Sequence, residues 1–131
     1  MKIPRIALVL PIVFANCMCS NKLGGDLKVN GESFGANGCR SGAVYGFSGV
    51  EVTGAGGRKL RVLQLPTGEA KVVVFANGAA VGSDLGVCGT ISVSDQNSTI
   101  NDVKNVRGKA QLSCAADGIT LEGSLTFENC H

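Results

Sequence analysis

The chain has 131 residues, 12 Lys/Arg against 10 Asp/Glu, six cysteines, 19 glycines, one tyrosine and no tryptophan. That length accommodates one domain. A formal charge of +2 makes no electrostatic case for binding nucleic acid, and 44% hydrophobic residues with so little net charge excludes a disordered chain.

Lys2 and Arg5 precede an uncharged run at residues 6–15, IALVLPIVFA. A bilayer span needs about 20 apolar residues, so this run is too short for a membrane helix. A basic start, a short apolar stretch and small residues after it predict a secretory signal peptide over residues 1–16. Pro11 argues against a strand there, because it cannot donate to a ladder. Phe14-Ala15-Asn16-Cys17 resembles the lipobox of bacterial lipoproteins, in which the cysteine takes a diacylglycerol thioether and becomes the new N-terminus. Ala15 matches that pattern, Phe14 matches it loosely and Asn16 departs from the small residue usual before the cysteine. The resemblance implies lipidation at Cys17, with Cys19 as second candidate, and a protein exported to a bacterial envelope and held at the outer membrane or cell surface. Residues 17–37 follow as a polar, glycine-rich stretch, expected to be a flexible tether to a β-domain over residues 38–131.

Six segments of that domain read as strands. Residues 43–53 form a glycine-broken run with Tyr45, Phe47, Val50 and Val52. Residues 58–65 place Leu60, Val62, Leu63 and Leu65 against the wet Lys59 and Arg61. Residues 71–76, KVVVFA, are apolar on both faces, as an interior strand should be. Residues 89–94 direct Ile91 and Val93 inward, and residues 109–114 do the same with Ala110, Leu112 and Cys114. Residues 119–128, ITLEGSLTFE, alternate most cleanly, with Ile119, Leu121, Leu125 and Phe127 on one face and Gly123 among them. Turn-forming residues lie between these runs at 54–57, 66–68, 77–78 and 115–118. The expected fold is all-β, an antiparallel sandwich or barrel of about 7–9 short strands.

With Cys17 lipidated and Cys19 beside it, Cys39, Cys88, Cys114 and Cys130 remain, an even number suited to two disulfides in an oxidising compartment. They lack the close pairing of zinc ligands. Four cysteines allow three pairings. If 109–114 and 119–127 form a hairpin, Cys114 sits at its turn and Cys130 at its far end, beyond the ~7 Å that a disulfide spans. Cys88–Cys114 with Cys39–Cys130 is the preferred pairing, the second bond tying the start of the domain to its end.

No catalytic constellation stands out. His131 is the single histidine and the last residue. Glu122 and Glu128 share a strand face at ~20 Å, wider than paired glycosidase carboxylates. Glu51 or Glu69 would have to join one of them in space. Residues 54–59, GAGGRK, lack the P-loop pattern and suit a hairpin turn. Arg58, Lys59 and Arg61 form a basic cluster, with Arg40 and Lys71 as neighbours in prospect, able to bind a phosphate-bearing lipid or an acidic partner. Residues 94–102, SDQNSTIND, space oxygens like half a calcium loop but lack its glycine and closing glutamate.

Cys39-Arg40-Ser41-Gly42, then Gly46-Phe47 and Gly49-Val50, the stretch from Ser98 to Asn101 and the tail from Gly118 to His131 together resemble small myxobacterial-type lipoproteins of unassigned function. That resemblance implies no catalytic residues. The expected function is therefore a lipid-anchored, non-enzymatic envelope β-domain with a binding or structural role. It would need no cofactor or metal and no nucleic acid, and would meet membrane lipid through acylated Cys17 and an envelope protein as a further partner. The alternatives are an inhibitor of a secreted or periplasmic hydrolase, presenting residues 35–42 or 94–102 from a rigid scaffold, and a small carboxylate-dependent hydrolase.

Overall fold

A computed structural model describes residues 20–100 and 103–131, with residues 97–100 described by backbone alone. The expected signal peptide, Cys17, Cys19 and the last two residues of the polar run 94–102 lie outside the described residues.

Ten β segments follow in order: β1 (Lys22–Gly25), β2 (Lys28–Val29), β3 (Glu32–Ser33), β4 (Gly38–Ser41), β5 (Gly49–Thr53), β6 (Lys59–Gln64), β7 (Glu69–Phe75), β8 (Ser83–Ile100), β9 (Val103–Ala116) and β10 (Ile119–Cys130). All pairings are antiparallel, in the order β3-β2-β10-β9-β8-β7-β6-β5-β4, with β1 also on β10. Lys22 pairs with Glu128 and Val29 with Leu121 in one register, so β1 and β2 act as a single strand along β10, with β3 beyond β2. The result is a nine-stranded sheet curled into a half-barrel. Its inner face carries the core: Val50, Val52, Leu60, Val62, Val72 and Leu121 are wholly buried, with Phe34 and Leu125 nearly so.

The strongest period-two runs behave as their patterns require. In β9, Ala110, Leu112 and Cys114 are buried while Lys109, Gln111 and Ser113 are exposed. In β10, Leu121, Leu125 and Phe127 are buried. Ile119 pairs with Ala116, leaving a two-residue turn at Asp117 and Gly118, both at positive φ (53° and 75°). That is the Asp-Gly type I′ turn, whose twist matches the flanking strands.

Of two cross-links among the described residues, one closes the curl and the other staples neighbouring strands. Cys39 of β4 is bonded to Cys130 of β10, and Cys88 of β8 to Cys114 of β9, each with Cα atoms 5.1 Å apart. This is the preferred pairing, and the hairpin that argued against Cys114–Cys130 is present.

Three expectations need correction. Residues 17–37 are not a tether from Lys22 onward: β1, β2 and β3 occupy that stretch, and Leu27, Val29 and Phe34 are buried in the core. Two of the glycines that suggested flexibility, Gly24 and Gly25, are docking positions against β10. Gly24 lies against Thr126, and a Cβ there would come within 2.7 Å of the threonine hydroxyl. Residues 43–53 do not form one strand. The Ser41 hydroxyl accepts the Ala43 N–H and opens a 3₁₀ turn over Gly42–Tyr45, Gly46 ends it at φ 88°, and the strand begins only at Gly49. Residues 94–100 are not a loop but the second half of β8, with Thr99 paired to Lys104 and Ile100 to Val103. Extended backbone there lacks the tight turn of a calcium loop. Neither 94–100 nor 38–41 is a free presenting loop for an inhibitor.

Candidate functional site

The basic cluster is split by the alternation of β6. Arg58 precedes the strand, and its guanidinium is spent on local carbonyls: Nε donates to Ala55 O at 3.1 Å, and Nη2 to Ser33 O and Phe34 O at 3.3 and 3.2 Å. It also lies 5.3 Å from the Phe34 ring centre. Arg58 therefore ties β3 to the turn before β6. Lys71 pairs instead with Asp84 at 3.4 Å.

Lys59 and Arg61 share the outer face with Arg40 and Glu51. Cross-strand register places Arg40 opposite Glu51, and Glu51 opposite Arg61. Glu51 is 4% exposed although it points away from the core, because residues 42–48 fold back over β5. Its carboxylate is doubly engaged: Tyr45 donates its hydroxyl to Oε1 at 2.8 Å, and Arg61 Nε donates to Oε2 at 2.8 Å. The Arg61 guanidinium lies 4.2 Å from the Tyr45 ring centre, 5.1 Å from Phe75 and 5.9 Å from Phe47. The aromatic faces and the carboxylate hold it from both sides. Partial burial of the Tyr45 hydroxyl, and then the Glu51 charge beside it, push the phenol above its ordinary pKa.

Beside this cluster is a cavity of about 320 Å³, lined by Asn21, Arg40, Tyr45, Glu51, Thr53 and Lys59 among others. Asn21 stands at the seam between the two ends of the curled sheet. Its Oδ1 accepts the Cys39 N–H at 3.0 Å and its Nδ2 donates to Asn129 O at 2.8 Å. Arg40 and Lys59 enter no ion pair among the described residues. The cavity thus presents cationic groups over a carboxylate already satisfied by its own neighbours.

A second, shallower cavity of about 460 Å³ lies across the seam on β1, β10, β9 and β8. Lys22, Arg107, Lys109, Ser92 and Ser94 line it with Glu128. Gly108 lies among them, where a side chain would collide with the Ser92 carbonyl and the Phe127 ring.

The remaining candidate groups stay apart. Glu69 accepts the Thr67 hydroxyl at 3.0 Å. Glu122 pairs across with Lys28, Glu128 with Lys22, and His131 follows β10 partly buried. Among the described residues no group of three or more His, Cys, Asp or Glu is placed to hold a metal ion.

Sequence reasoning found Lys59, Arg61 and Arg40 but missed Tyr45 and Glu51 as their partners, because it read 43–53 as one strand. It also passed over Lys22, Arg107 and Lys109, each an ordinary wet-face position. No protein-family model, curated protein or solved structure matches the chain.

Proposed function

We propose that this is a lipid-anchored binding module of a bacterial cell envelope, acting without covalent catalysis. The observation that carries this reading is the outer-face cavity. Its one buried carboxylate, Glu51, is held by Tyr45 and Arg61, while Arg40 and Lys59 keep their charges for an outside group. Such a site attracts and orients an anionic ligand, with both oxygens of its carboxylate already accepting hydrogen bonds from Tyr45 and Arg61. The two disulfides fit an exported protein, since such bonds persist in oxidising compartments. The lipobox-like residues 14–17 supply the anchor.

Fractionation of cells expressing the full chain or its Cys17→Ser variant tests the anchor. The wild type is expected in the membrane fraction and the variant in the soluble periplasm or uncleaved. Equal membrane partition of two processed proteins would reject it.

A further inference from the structure

We infer that the side of the half-barrel where the chain enters the sheet is a docking face for an anionic phospholipid surface. The inference rests on lipidation at Cys17 and goes on to fix which side of the domain meets the bilayer.

Distance comes first. Asn21 is pinned across the seam to Cys39 and Asn129, and β1 begins at the next residue. Asn21 lies four residue steps beyond Cys17. At full extension they reach about 14 Å. The polar headgroup layer on each side of a bilayer is about 5–8 Å thick. A tether this short holds the surface beside Asn21 against the headgroups. The domain has no length of linker with which to turn that side away.

Charge comes second. From residue 20 onward ten Lys/Arg balance ten Asp/Glu, because Lys2 and Arg5 account for the whole excess of the chain. Yet the two cavities flanking the seam gather Lys22, Arg107 and Lys109 on one side and Arg40 and Lys59 on the other, against only Glu128 and Glu51. Five cations to two carboxylates is a marked asymmetry in a domain that is neutral as a whole. Asp117 and Glu122 lie toward the opposite end of β10 from Cys130. The positive side is therefore the one the anchor presents to the membrane, where basic residues gain from an anionic surface potential. Ser92, Ser94 and Thr126 add hydroxyl donors for phosphate oxygens on the same face.

Full-length protein, processed in a lipoprotein-competent host, is bound to vesicles of phosphatidylcholine with or without phosphatidylglycerol. Lysine acetylation is then read by mass spectrometry. Flotation on the neutral vesicles reports the anchor, and the labelling pattern reports the docking. On anionic vesicles Lys22, Lys59 and Lys109 should label at least about threefold more slowly than on neutral ones, and high salt should abolish the difference. Lys28, paired opposite Glu122, should label equally on both. Flotation with all four lysines labelling alike on the two vesicle types would overturn the docking and leave the anchor standing. Failure to float on neutral vesicles would overturn both. An Arg107→Gln/Lys109→Gln variant, changed only at exposed strand positions, should still float on neutral vesicles but lose protection at Lys22. Retained protection would equally overturn the docking.

Discussion

Tyr45 is the residue through which the candidate site can be watched. It is the chain's single tyrosine and there is no tryptophan, so phenol ionisation followed by ultraviolet absorbance reports this side chain alone. Burial of the hydroxyl and the Glu51 carboxylate both oppose the phenolate, so its midpoint is expected above the usual 10.0. Glu51→Gln should lower the midpoint, because it removes the carboxylate charge and leaves burial to act against the neighbouring Arg40. The unfolded chain ionises first. Stability should therefore fall as pH rises through 10 toward the folded midpoint, the direction linkage requires for a raised acid. A wild-type midpoint at or below 10 would mean that the hydroxyl does not rest on Glu51.

At the scale of elements, the informative joint is the strand made by β1 and β2 along β10. Asp26 interrupts it, and its side chain takes over where the backbone carbonyl turns away: Oδ1 accepts both the N–H and the hydroxyl of Ser124 at 2.8 Å. These bonds hold the Asp26 carboxyl below its ordinary pKa. Gly123 makes the arrangement feasible, with φ 123° and the Asp26 carbonyl 2.7 Å from where a Cβ would stand. Gly123→Ala should cost about 2 kcal/mol in urea unfolding, from positive-φ strain plus loss of this docking. A cost under about 0.5 kcal/mol, the level of an indifferent surface change, would contradict that geometry.

The same joint shows what could be read from the sequence. Strands with one wet face and one dry face were legible, because alternation in 109–114 and 119–128 states both the strand and its orientation. The turn between them carried the hairpin, and the hairpin argued against Cys114–Cys130, leaving two pairings of which the preferred one is present. Residues 22–33 hid their strands, because the segments are only two to four residues long and Gly24 and Gly25 serve close approach to β10. Residues 94–100 hid theirs because six successive polar residues, Ser94 to Thr99, give no apolar alternation and so read as a loop. Tyr45 and Glu51 meet only because a 3₁₀ turn folds over β5, and nothing in the spacing of the two residues announces it.

For the whole molecule, the two disulfides should differ in weight. Cys39–Cys130 spans 91 residues and closes the seam between β4 and β10, whereas Cys88–Cys114 spans 26 within neighbouring strands. On chain entropy the longer loop is worth about 1 kcal/mol more. Cys39→Ser/Cys130→Ser should accordingly lower the melting temperature further than Cys88→Ser/Cys114→Ser. The reverse order would mean that the seam is held chiefly by Asn21, Arg58 and the core.

The proposed anchor and the docking face depend on one covalent fact, so the most direct measurement is the intact mass of the protein from a lipoprotein-processing Gram-negative host, with and without reductant. The expected species begins at Cys17, carries the added mass of diacylglycerol with or without a third acyl chain, and gains four protons on reduction as Cys39–Cys130 and Cys88–Cys114 open. A processed species without acyl mass would contradict the anchor and release the domain from the membrane.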